Sequence, residues 1–95
     1  MASYIARVEL HQATSDDYQL LHGAMERRGY SRMIKGDNGI IYWLPTGTYD
    51  VADTTATLDQ AHNAATSAAA ETKKSSSIIV SLRGAASWNG LARSA

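Results

Sequence analysis

A chain of 95 residues with nine basic and nine acidic side chains has the length of one domain, and its zero formal charge argues against a strongly basic nucleic-acid scaffold. It has no cysteine, which excludes disulfides and thiolate metal sites. No run approaches the roughly 18 apolar residues of a membrane span, and Met1-Ala2-Ser3-Tyr4 does not begin a signal peptide, so a soluble cytoplasmic protein without membrane contact is expected.

The first element is a strand. Residues 4–10 alternate, with Tyr4, Ala6, Val8 and Leu10 on one face and Ile5, Arg7 and Glu9 on the other. That period of two predicts a half-buried strand whose first face meets the helices. Thr14-Ser15-Asp16-Asp17 then signals a helix start, with Ser15 as cap and two aspartates at the positive end of the dipole. Leu20, Leu21, Ala24 and Met25 form its core stripe. Arg27 and Arg28 suit the carbonyl end, and Gly29 is placed as a left-handed stop. Gly23, inside the helix, costs roughly 1 kcal/mol against alanine and leaves room for a close neighbour.

Residues 31–35 and 39–44 read as the arms of a hairpin around Asp37-Asn38. Ile40-Ile41-Tyr42-Trp43-Leu44 is apolar on both faces, so one face is expected on the helices and the other under the tail or a second protomer. Pro45 ends that strand, and residues 46–53 read as an extended or looped stretch. Thr57 and Gln60 fit a capping box that opens a helix running to about Lys73 or Lys74. Leu58, Ala61, Ala65, Ala68 and Ala69 supply its buried stripe. Residues 77–82 are the last strand, and a small-residue tail containing Trp88 begins at about Gly84.

The order strand, helix, strand, strand, helix, strand is the split βαβ pattern. It predicts an α+β, ferredoxin-like domain over residues 1–95: a four-stranded antiparallel sheet with two helices on one face, and a short C-terminal tail. One sheet face is then left without helices. A homodimer through sheet edges or open faces is expected, with Ile41, Trp43 and Trp88 at the interface.

Few residues suggest chemistry. His11, His22 and His62 are far apart, and no spacing fixes the three or four ligands of a metal site, so no metal is expected. No nucleotide or cofactor motif occurs, and no cofactor is expected. His22 and His11 are the candidates for proton transfer, against a structural or solvent-exposed role for each. Arg27, Arg28, Arg32 and Lys35 cluster around the end of the first helix and the next strand. They would hold the phosphates of RNA, or simply form a solvated helix end.

As a set, Met1 to His11, then Ser15-Asp16-Asp17-Tyr18, Met25-Glu26-Arg27-Arg28-Gly29-Tyr30-Ser31-Arg32 and Tyr42-Trp43-Leu44-Pro45-Thr46 resemble small bacterial GhoS-like proteins. The resemblance spans most of the chain. It implies a ferredoxin-like fold related to the CRISPR adaptation nuclease subunit. It also implies the role of a type V toxin–antitoxin antitoxin that acts as an endoribonuclease on toxin mRNA. The chain departs from that family in placing His22 and Gly23 mid-helix, with its arginines later, at Arg27 and Arg28. Two functions are therefore expected. One is a GhoS-like endoribonuclease, with Arg27, Arg28 and Arg32 on single-stranded RNA and His22 or His11 as acid or base. The other is a non-catalytic protein-interaction or inhibitor module, of the kind a mobile element encodes, which binds a protein partner through its sheet.

Overall fold

The computed structural model describes residues 1–94. Its elements are β1 (Ala2–Leu10), α1 (Ser15–Glu26), β2 (Met33–Lys35), β3 (Ile41–Trp43), β4 (Thr48–Thr54), α2 (Leu58–Ala70) and β5 (Ser76–Leu82). Two helices and antiparallel strands make a small α+β fold, compatible with a ferredoxin-like arrangement. The strands do not form one four-stranded sheet. β4, β1 and β5 make a three-stranded sheet with β1 central, while β2 and β3 make a separate two-stranded sheet. A single bridge, Ser31 opposite Asp50, links the approach to β2 with β4 through backbone bonds of 2.7 and 2.8 Å.

The strand beside β1 is thus β4, in the stretch that reads as looped from sequence, and not residues 40–44. The reason lies in the core. Tyr49 faces it and is wholly buried, and its backbone partner on β1 is the small Ala6. A large ring next to a small neighbour fills the layer below the helices, and its burial outweighs the polar look of the segment. The pairing slips between Ala2 and Tyr4, where a bulge accommodates Asp53 at φ +53°.

Residues 40–44 instead build an outlying layer. β3 pairs with β2 on one side. On its other side the tail returns: Trp43 N–H donates to Ala92 O and Ser94 N–H to Ile41 O, both at 2.9 Å. Trp88 sets its ring edge-on to Tyr42, with centroids 5.5 Å apart. The tail, one of the two covers expected for this strand, therefore takes part of it.

Both helices meet the same side of β1. Ala6, Val8 and Leu10 of β1 share one buried cluster with Leu21, Ala24 and Met25 of α1 and Ala65, Ala68 and Ala69 of α2. The cap of α1 is Thr14, one residue before the expected serine, and forms a capping box with Asp17. Thr57 and Gln60 form the expected box on α2. The second helix stops at Ala70, short of the lysines, and Gly29 adopts φ +91° after α1 as its stop signal implies.

Two glycines behave in opposite ways. Gly47 sits at φ +83° against β1, where Val8 N–H donates to its carbonyl at 2.7 Å. A Cβ there would lie 2.5 Å from Val8 O, too close for any side chain. Gly23 has ordinary helical geometry, and a Cβ would meet only the flexible end of Arg27, at 3.4 Å. In urea unfolding, Gly47→Ala should lower stability by more than about 1 kcal/mol, while Gly23→Ala should raise it by up to about 1 kcal/mol. An unchanged midpoint for Gly47→Ala would contradict this packing.

Candidate functional site

The residues singled out from sequence fall into separate places. His22 lies in the core, 5% exposed, with Nδ1 2.7 Å from the Tyr49 hydroxyl. Burial pushes the imidazole below its ordinary pKa, the nearby Arg32 cation adds to the effect, and Glu26 opposes it. Burial likewise drives the Tyr49 phenol well above its usual range. A neutral ring accepting at Nδ1 from a protonated phenol satisfies both groups. As placed, His22 is a packed and hydrogen-bonded core histidine, with little of it open to a substrate.

His11 is exposed at the end of β1, with its two ring nitrogens 3.1 and 2.9 Å from the hydroxyls of Ser75 and Ser77. The two histidines therefore occupy different environments and share no partner. Among the described residues, no group of three or more His, Cys, Asp or Glu is arranged to hold a metal ion.

The four basic residues divide into two sets. Arg27 and Arg28 both bind Glu71, at 2.7 and 2.6 Å, and clip the end of α1 to the end of α2. The two guanidiniums hold the Glu71 carboxyl below its ordinary pKa, with the Arg28 hydrogen bond as the largest cause. One positive charge remains uncompensated in that trio, and each arginine already has a carboxylate partner. Arg32 instead stacks over the Trp43 ring, 5.1 Å from its centroid. Lys35, exposed at the end of β2, lines a cleft of about 400 Å³ with Tyr42, Arg83 and Trp88. Trp43 and Ile41 remain 37% and 43% exposed, and Trp88 is half-buried.

One pair was not legible in the sequence. Asp50 of β4 is buried, and Arg83, just past β5, grips its carboxylate with Nε and with Nη2, the latter at 3.2 Å. This bidentate pair ties the start of the tail across the sheet to β4. Arg83 borders the cleft with Lys35 and a second one of about 350 Å³ lined by Ser31, Met33 and Ile41. An aspartate in a stretch read as a loop gave no reason to seek a buried partner 33 positions away.

The sheet face away from the helices carries a different surface. Ile5, Arg7 and Glu9 of β1 lie beside Ser77, Ile79 and Ser81 of β5 by register. Ile79 is 66% exposed on this face, while Leu82, 68% exposed at the strand end, lies on the other side with its partner Tyr4. A shallow cleft of about 260 Å³ runs between Arg7, Glu9, Ser77 and Ile79. The Ser77 hydroxyl on its wall is the one that meets His11 Nε2 at 2.9 Å. No helix among the described residues is long and apolar enough to cross a membrane.

Comparison with family models, with curated proteins and with solved structures finds no match to this chain.

The buried histidine has a pH signature. Its folded pKa lies below its unfolded one, so the unfolded chain binds the proton first as pH falls. The stability it contributes is complete above about pH 7, begins to fall as pH drops below the ordinary histidine value near 6.5, and is lost as pH falls through the lower folded pKa. Urea unfolding between pH 7.5 and 5 should show that loss, and His22→Gln should flatten it. An equal pH dependence in the variant would show that His22 is not held neutral in the core.

Proposed function

We propose that this chain is a non-catalytic protein-interaction module that works through the helix-free side of its three-stranded sheet and the edge strand β5. The observation that carries this reading is the uncovered apolar surface there, centred on the exposed Ile79, with the half-buried Ile5 on the same face. Both helices lie on the other side, and no described residue covers Ile79; an exposed apolar surface of this kind marks an interaction site. The arrangement of the polar candidates supports the same reading. His22 is bound to Tyr49 in the core, and Arg27 and Arg28 share Glu71. The finer reading of the fold as ferredoxin-like, with the β2 segment standing as a fourth strand joined by one bridge and not by a ladder, is part of this proposal. It is supported by the Ser31–Asp50 bridge, which puts the β2 segment beside β4 in the order that topology requires.

A second reading, the GhoS-like endoribonuclease acting on mRNA, is favoured by one specific feature. Arg32 stacks on the partly exposed Trp43, and Lys35 follows on the same hairpin. Cations interleaved with aromatic rings are what single-stranded nucleic acid binds. In that reading the exposed His11 would be the more accessible proton-transfer group.

Labelled single-stranded RNA separates the two. The module reading predicts no cleavage, with or without divalent metal, and no salt-sensitive anisotropy change. The nuclease reading predicts binding whose salt slope flattens by roughly 0.7 for each of Arg32 and Lys35 replaced by alanine. Salt-sensitive binding with that pattern would overturn the module reading.

A further inference from the structure

β5 is an edge strand of unusual openness. It pairs with β1 alone, through seven consecutive residues and without a bulge. Backbone bonds fix its phase: His11 N–H donates to Ser75 O at 2.9 Å, and Arg83 N–H to Ser3 O at 2.8 Å. Antiparallel ladders alternate, so the odd residues of β5 bond to β1. The N–H and C=O groups of Ser76, Ile78, Val80 and Leu82 therefore face away from the sheet. Natural edges are usually blunted by proline, charge or a bulge. Residues 76–82 contain none of these, and Arg83 beyond them is occupied by Asp50.

The sequence of this edge is self-complementary. Ser77-Ile78-Ile79-Val80-Ser81 reads as the same pattern in both directions about Ile79. We propose that β5 pairs antiparallel with β5 of a second copy of this chain, about a twofold axis at Ile79, joining two three-stranded sheets into one of six. This rests on the reading of the β5 side as the interaction surface. Ile78 then bonds Val80 of the partner subunit and Ser76 bonds Leu82 of the partner subunit, and all of these are outward-facing residues. On the open face Ile79 meets the partner's Ile79, and Ser77 meets the partner's Ser81. The central isoleucines form a non-hydrogen-bonded pair, the type in which side chains approach most closely.

Neighbouring registers that keep the same backbone phase are poorer. Moving the axis to Ile78 sets Ile79 against Ser77, and moving it to Val80 sets Ile79 against Ser81. Only the axis at Ile79 places apolar against apolar and hydroxyl against hydroxyl along the whole open face. A second copy is therefore the partner this edge fits best, because an unrelated strand has no reason to match a palindrome.

The absence of native cysteine allows a register-specific test on the full chain. Ile79→Cys should form a disulfide-linked dimer under mild oxidation by oxidised glutathione, since facing residues of such a pair lie within disulfide reach. Ser81→Cys alone should not, because its two copies would stand four residues apart along the strands, about 13 Å. A mixture of Ser77→Cys and Ser81→Cys should give the hetero-linked species. Light scattering should show wild type as a dimer, with Ile79→Lys weakening it about tenfold by setting like charges face to face. Ile79 is exposed, so the variant keeps its fold, which circular dichroism checks. Wild type that stays monomeric at about 0.5 mM, or Ser81→Cys that links as readily as Ile79→Cys, overturns the pairing. A monomer that also ignores RNA overturns this inference alone, whereas salt-sensitive RNA binding overturns the module reading on which it rests.

Discussion

A core without phenylalanine has to bury tyrosine, and each buried hydroxyl needs a partner. Leaving one unpaired would cost on the order of 1–3 kcal/mol. Here every tyrosine of the main core solves that problem with a tertiary bond. Tyr4 donates to Ala56 O before α2, and Tyr30 donates to Ala61 O within it. Tyr49 bonds His22, and the Tyr18 hydroxyl accepts from Leu10 N–H at the end of β1. Three of these bonds join segments distant in sequence, the fourth joins β1 to the next element, and together they fix how both helices lie on β1. Burial pushes the Tyr30 phenol up to about 12, so its proton stays available to donate across the accessible pH range. No side-chain polar atom among the described residues is buried without a partner.

The same constraint decides the role of the polar residues. His22 is drawn into the core because Tyr49 needs an acceptor there. Asp50, the next residue, points to the other side of the sheet and is neutralised by Arg83. One strand thus carries a core bond on one face and an ion pair on the other. Arg27 and Arg28 meet at Glu71 because α1 and α2 end side by side, and this closes the helix layer. On the helix-free side, the outward backbone of β5 and the exposed side chain of Ile79 have no partner among the described residues.

The parts legible in the sequence were those governed by local rules. Alternation marked β1, and the Thr57–Gln60 box and Gly29 marked helix ends within a turn. β5 announced itself by its β-branched run. The failure was at β4, where Gly47, Asp50 and Asp53 masked the pair Tyr49 and Val51. A strand whose polar positions are satisfied by tertiary partners cannot be told from a loop by composition. The strongest local strand signal, residues 40–44, lies in the outlying two-stranded sheet, while the strand of Tyr49 pairs with β1. The candidate site was less legible for the same reason. The histidines and arginines were visible as residue types, but their partners Tyr49, Glu71 and Trp43 become neighbours only after folding. The palindrome in β5 was present in the sequence, yet it had no meaning until β5 was seen to be an edge.

The claim that organises the structure is that its interaction surface is the free edge of β5. Residue-resolved amide hydrogen exchange tests it most directly, by comparing dilute and concentrated protein. The account predicts that the amides of Ser77, Ile79 and Ser81 are protected at both concentrations by their bonds to β1. The amides of Ile78 and Val80 should become protected only at high concentration. Exchange at Ile78 and Val80 that is already slow in dilute protein, or equally fast at every concentration, would contradict it.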